Sequence, residues 1–113
     1  MHELSIVMSI LEIADKEIKK AKAEKVDSIE LEIGTLSGVE MEAFDFAWEI
    51  SVKDTVMENA ERKIQRTQAK ARCADCGHVF NSTTLYDDCP KCGQPFNEIL
   101  SGRELRVKAL TVS

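Results

Sequence analysis

The sequence predicts an α+β fold: two helices packed on a three-stranded sheet, with a small cysteine-bearing module inserted. Three patterns lead there. Apolar residues step by threes and fours over residues 4–21 and 41–52, and they alternate with polar ones over 28–33 and 104–109. All four cysteines crowd into residues 73–92. The first pattern marks a helix with one buried stripe, the second a half-buried strand.

In the first helix the stripe reads Leu4, Val7, Met8, Leu11, Ala14, Ile18 and Ala21, opposite Glu12, Asp15, Lys16, Lys19 and Lys20. The lysines fall late, where they suit the helix dipole, and the helix should end between Lys22 and Lys25. In "VDSIELEIG", Ile29, Leu31 and Ile33 alternate with Ser28, Glu30 and Glu32, and Gly34 closes the strand. The second helix reads as capped by Ser37 with Glu40 three residues on, a capping box. Its apolar face is Met41, Phe44, Ala47, Trp48 and Val52. Residues 60–72 have Ile64 as their one large apolar residue and fit a polar edge strand better than a short helix. Leu105, Val107 and Ala109 then alternate through a last strand. Between them, roughly from Arg72 to Glu98, turn formers dominate and apolar residues are few, so this module cannot build a core alone and must be stapled.

The chain has 113 residues and a formal charge of −5. Phosphate neutralisation needs clustered Lys and Arg, so this balance argues against nucleic acid. The cysteine-bearing stretch itself sets three basic residues (Lys70, Arg72, Lys91) against four acids (Asp75, Asp87, Asp88, Glu98). The apolar run from Ile6 to Leu11 lies between Glu3 and Glu12, which suits neither a signal peptide nor a membrane span. The expected location is cytoplasmic, where cysteines serve as metal ligands more readily than as disulfides.

The cysteines form two knuckles, Cys73-Ala-Asp-Cys76 and Cys89-Pro-Lys-Cys92, twelve residues apart and each followed by glycine, Gly77 or Gly93. A Cys-x-x-Cys turn aims two thiolates at one point, and the glycine lets the chain fold back so that amides approach the sulfurs. Two such turns complete a tetrahedral four-sulfur site, which favours Zn(II) and, being closed, is structural. A redox dithiol would use one such turn, not two. The module is therefore zinc-ribbon-like, and zinc would supply its folding free energy. His78 follows Cys76 by two residues. It reads as a surface residue, or as a donor to a ligated sulfur or an alternate ligand.

The amino terminus offers a different chelate. The Met1 amine, the His2 amide nitrogen and the His2 imidazole can close two fused rings on one metal ion. Only strongly polarising ions with a square-planar preference, such as Ni(II) or Cu(II), readily displace the amide proton. Glu3 could add a fourth donor from its amide or its carboxylate, or the fourth could come from elsewhere. The first amides of a helix have no intrahelical partner, so recruiting them breaks no helix bond. On chemistry alone an inert terminus is the commoner outcome, with Glu3 only an acid suited to the helix start.

Three stretches change that weighting: "MHELS" at the start, "ELEIGTLSGVEMEAFDFAWEI" in the middle and "CADCG…CPKCG" near the end. Together, and in this order, they resemble the hydrogenase maturation nickel metallochaperone family (HypA, with its close relative HybF), over essentially the full chain. The resemblance implies a nickel-binding α/β domain, residues 1–71 plus 102–113, and a zinc-binding domain, residues 72–101, inserted before the last strand. It implies Ni(II) as transient cargo at the amino terminus, with His2 at the matching position and Met1 and Glu3 contributing backbone nitrogens. It implies structural Zn(II) on Cys73, Cys76, Cys89 and Cys92. The partners it implies are the large subunit of NiFe-hydrogenase, a nickel-handling GTPase accessory protein and, for some members, urease maturation proteins. Monomer and homodimer both stay open. Two departures stand out: Met41 replaces a common proline, and a histidine follows only the first knuckle.

No Ser-His-Asp set and no phosphate-cradling glycine loop is visible, and His2 and His78 are the only histidines. The reading is a carrier and not an enzyme. The rival from another class is a zinc-ribbon adaptor or nucleic-acid-associated protein, with residues 1–60 as a docking platform; a thiol redox enzyme is a third.

Overall fold

The structure, a computed structural model, describes residues 3–113. Among them the chain runs α1 (Glu3–Ala21), β1 (Val26–Gly34), α2 (Met41–Ser51), β2 (Glu61–Thr67), β3 (Lys70–Cys73), β4 (Val79–Asn81), β5 (Asn97–Ser101) and β6 (Leu105–Val112). The strands make two three-stranded sheets, ordered β2-β1-β6 and β4-β3-β5. The α+β class holds.

Helix α1 buries Val7, Ile10, Leu11, Ala14 and Ile18. This stripe is rotated from the expected one: Ile10 is in, while Leu4 and Met8 are exposed. At about 100° per residue, Met8 lies about 100° round from the stripe's centre, so the three-and-four stepping alone left two neighbouring lines of residues possible. The helix ends in a Schellman motif. Lys22 sits at φ 55, its N–H reaches Lys19 O at 3.3 Å, and Ala23 N–H reaches Ile18 O at 3.0 Å. A lysine holds the left-handed position that usually falls to glycine.

In β1, Ile29, Leu31 and Ile33 are all buried, as the alternation predicts. The capping box is not formed where expected. Ser37 N–H bonds Gly34 O in a turn, and Gly38 takes φ +84, which no helix admits. Helix α2 starts three residues later, with Glu40 as N-cap accepting from Glu42 N–H. Its buried residues Phe44, Ala47 and Trp48 belong to the expected face. Helices α1 and α2 pack together, and their buried residues, with Val26, Ile29 and Leu31 of β1, belong to the first of two compact units. That unit holds the chain to Leu31, Val39–Ile64 and Val107–Ser113.

The second unit is Glu32–Gly38 with Gln65–Arg106. Residues 60–72, read as one polar edge strand, are two strands in different sheets, parted at Gln68 and Ala69. β2 does lie at a sheet edge. β3 pairs antiparallel with β4 (Ala71 opposite Phe80) and with β5 (Ala71 opposite Ile99). In β6 the simple alternation fails: Leu105 and Ala109 are exposed, while Val107, Leu110 and Val112 are half-buried.

The parting of the sheets is built on small residues. A Cβ on Gly34 would lie 2.1 Å from Gly102 O, and one on Gly102 would lie 2.5 Å from Ala69 Cβ. Main-chain bonds knit the crossing: Gly34 N–H to Glu104 O at 2.7 Å, Leu36 N–H to Gly102 O at 2.6 Å and Thr35 N–H to Thr67 O at 3.0 Å. Ala69 N–H adds a bond to Thr35 Oγ1 at 3.0 Å. Beside it, the buried Glu32 carboxylate accepts from Thr67 Oγ1 at 2.6 Å and from Arg106 Nε at 2.6 Å.

Candidate metal centre

Each knuckle is shaped by its main chain in the same way. Cys73 N–H bonds His78 O at 2.9 Å, and Gly77 N–H bonds Cys73 O at 3.1 Å. In the second knuckle Cys89 N–H bonds Gln94 O at 2.9 Å, and Gly93 N–H bonds Cys89 O at 2.8 Å. Gly77 and Gly93 both adopt left-handed φ, 73° and 79°, which allows these tight returns. The turns leave amides aimed at sulfur: Cys76 N–H at 3.4 Å from Cys73 Sγ and Lys91 N–H at 3.4 Å from Cys89 Sγ. A side-chain bond from Gln94 Nε2 to Asp75 Oδ2, 2.7 Å, ties one knuckle to the other.

The four sulfurs of Cys73, Cys76, Cys89 and Cys92 lie within 4.8 Å of one another. Cys73 and Cys92 are 3.3 Å apart, Cys76 and Cys89 3.7 Å. Zinc–sulfur bonds of about 2.3 Å in a tetrahedron put sulfurs about 3.8 Å apart, so the donor set fits zinc. All four cysteines are unbridged, and Cys73 and Cys89 are buried.

Proton affinities across the cluster diverge. The amide of Cys76 holds the Cys73 thiol down to about 6, with help from Cys92 and against burial. Burial works to raise Cys89, but the amides of Cys92 and Lys91 and the neighbouring sulfurs carry it below its ordinary value. For Cys76, the His78 amide favours the thiolate, yet burial with the sulfurs of Cys73 and Cys89 raises it. Cys92 is pushed up to about 12: the Gln94 amide favours ionisation, but Cys73, burial and the other sulfurs outweigh it. Four thiolates this close cannot all ionise unaided; a divalent cation removes the repulsion and takes all four.

The His78 imidazole stacks on Phe80, ring centres 6.1 Å apart, and its main chain serves the cluster. Sequence reading did not single out Gln94. Its signal was positional, since it stands five residues after Cys89 as His78 stands five after Cys73.

Of the amino-terminal candidates, Met1 and His2 lie outside the described residues. Glu3 opens α1, and its Oε2 accepts from Glu40 N–H at 3.1 Å. In a capping box the residue three places into the helix reaches back to the N-cap amide. Here Glu3, 37 residues away, fills that role for α2. Among the described residues no helix is long and apolar enough to cross a membrane.

A family model described as "Hydrogenase/urease nickel incorporation, metallochaperone, hypA" matches residues 1–112. The chain belongs to the HypA family. A relative from Geotalea uraniireducens (strain Rf4), a hydrogenase maturation factor HypA, is 44% identical over 112 residues, 99% of each chain. One of the same name from Chlorobaculum parvum is 39% identical, again over 99% of both. The solution structure of the Ni metallochaperone HypA from Helicobacter pylori superposes with a TM-score of 0.67 at 31% identity, covering 99% of this chain and 97% of that one. The fold is thus one found in solved structures of the family.

Proposed function

We propose that this chain is a nickel carrier of the cytoplasm that binds Ni(II) at its amino terminus and delivers it to the hydrogenase large subunit during maturation. The observation that carries this reading is the bond from Glu40 N–H to Glu3 Oε2. It fastens the residue next to His2 to the start of a second helix, so a terminal chelate would rest on an anchored base. The donors are the Met1 amine, the His2 amide and imidazole, and the Glu3 amide. Helix geometry gives the first amides of any helix no intrahelical partner, so a metal that recruits such amides breaks no helix bond. A partner's ligands displace such donors one at a time, which suits a cargo that must leave.

The cysteine cluster takes the opposite role. Cys73, Cys76, Cys89 and Cys92 would hold a resident Zn(II), which when bound supplies a four-bond staple to residues 72–101. A four-thiolate set leaves no open position, so it supports structure and not transfer. Residues 1–71 with 102–113 form the nickel-bearing domain in this reading. The GTPase accessory protein and, for a urease pathway, its maturation proteins are the partners. Carriage, not catalysis, is the activity.

Nickel titration of the untagged, zinc-loaded protein tests this. One Ni(II) should bind, and His2→Ala or an amino-terminal extension that acylates the Met1 amine should each abolish it while zinc content and fold persist. Undiminished nickel affinity in either variant refutes the terminal site.

A further inference from the structure

The face of α2 turned away from the core is apolar and acidic at once. Ala43, Phe46 and Ile50 follow one another there at helical spacing, and with Ala47 at the edge of the packed face and Glu3 and Leu4 of α1 they line a hollow of about 400 Å³. Phe46 is 66% exposed, Ile50 59% and Leu4 56%. Such side chains are unusual on a helix that also has a packed face, and here they are contiguous. On its other side Phe46 borders a second hollow of about 480 Å³, lined also by Glu42, Asp45, Trp48, Glu49 and Arg62. Phe46 is thus a ridge between two depressions.

Among the described residues the rim is mainly acidic. Glu3, Glu42 and Glu49 border the hollows, and neither Glu42 nor Glu49 has an ion pair among the described residues. Among the described lining residues the one cation, Arg62, is committed: its Nη2 bonds Asp45 Oδ1 at 2.7 Å, and its guanidinium lies over Phe44 and Trp48. Like charge on both sides disfavours a second copy of this face, and an anionic lipid surface is repelled. A segment with apolar anchors flanked by lysine or arginine meets both features. A groove between helices accepts anchors spaced i, i+3 or i+4, and i+7, and an arginine beside an exposed ring gains a cation–π contact.

We infer that the Leu4–Phe46–Ile50 face is a docking site for a basic amphipathic helix of a partner protein. It goes beyond the nickel reading and stands without it. Its place in the chain gives it a use: a helix seated there contacts Glu3, the residue bonded to His2. On the nickel reading, docking and cargo would then both involve the start of α1.

The test uses the zinc-loaded full chain as bait for a displayed library of 18-residue helical peptides, randomised at four anchor and four flanking positions. Enriched peptides should carry Leu, Ile, Phe or Met at the anchors and Lys or Arg at the flanks. Phe46→Ser with Ile50→Ser should weaken the best peptide at least about tenfold, since both side chains leave the interface. Glu42→Gln with Glu49→Gln should weaken it in low salt, and the difference should shrink as screening rises. Both pairs are exposed, so the variants should keep the wild-type circular dichroism. The inference is overturned by no enrichment over a bait-free selection, by enriched peptides without basic flanks, or by unchanged binding to the Phe46→Ser, Ile50→Ser protein. It is equally overturned if the wild type dimerises through this face, or binds anionic vesicles and the double variant does not. Nickel uptake is measured in parallel on the wild type. Its absence refutes the terminal site alone, and lost peptide selectivity refutes this site alone.

Discussion

Replacing Gly34 with alanine isolates the steric demand of the sheet crossing. The added Cβ would lie 2.1 Å from Gly102 O and 2.2 Å from Gly102 C, both backbone atoms that no side-chain rotation can move. Forcing extra volume into a packed site costs about 1–3 kcal/mol. Relief requires the two strands of chain to part, which strains the bonds Gly34 N–H to Glu104 O and Leu36 N–H to Gly102 O. At about 1 kcal/mol each, their loss brings the total to about 3–5 kcal/mol. For a domain of this size, 1 kcal/mol corresponds to about 4 °C, so the midpoint should fall by about 12–20 °C. Gly38→Ala supplies the contrast. Nothing lies within 4 Å of that Cβ, but φ is +84, so only conformational strain of about 1 kcal/mol is paid. Thermal unfolding followed by far-ultraviolet circular dichroism, with zinc present throughout, compares the two. A Gly34→Ala midpoint within about 3 °C of wild type refutes the reasoning, as does Gly38→Ala being the worse variant.

Lys22→Gly should stabilise the protein by about 0.5–1 kcal/mol, because glycine occupies the left-handed cap of α1 without a Cβ penalty; chemical denaturation measures it, and a loss of stability counts against the Schellman assignment. Arg106→Ala removes the guanidinium from a Glu32 side chain only 8% exposed and should cost about 2–3 kcal/mol in the same assay, with no change refuting the pair's importance. Asp87 is held at about 2 by the Thr84 hydroxyl first, then by the Thr83 amide and hydroxyl. A depressed folded value means stability present above the unfolded value of about 4 and lost as pH falls toward the folded one. The melting gap between wild type and Asp87→Asn should therefore stay level from about pH 7 to pH 5 and narrow below about pH 4; a gap that widens in acid refutes the assignment.

Legibility followed the range of the forces involved. β1 was readable because period two is local and its apolar residues have one side to choose. Phe44 and Trp48 were readable for the same reason at helical period. The cysteine cluster was readable because spacing within each knuckle fixes where sulfurs point. What failed was set by distant partners. The N-cap of α2 moved from Ser37 to Glu40 because Gly38 is left-handed and because Glu3, 37 residues away, bonds the Glu40 amide. The parting of β2 from β3 at Gln68 and Ala69 depends on Gly102, which no local pattern connects to them. Leu4 and Met8 read as core because helical stepping does not state which line of residues meets its neighbour.

The grouping of Glu32–Gly38 with the cysteine unit bears on how this architecture can be rearranged. The unit is made of two stretches of chain, joined where Thr35 and Leu36 N–H bond Thr67 O and Gly102 O and where Thr35 Oγ1 accepts from Ala69 N–H. A fragment cut at residues 65–106 would carry every sulfur and still lack the segment that seals its base. Grafting this module onto a relative, or exchanging modules between relatives, would thus mean moving two separate pieces of chain together.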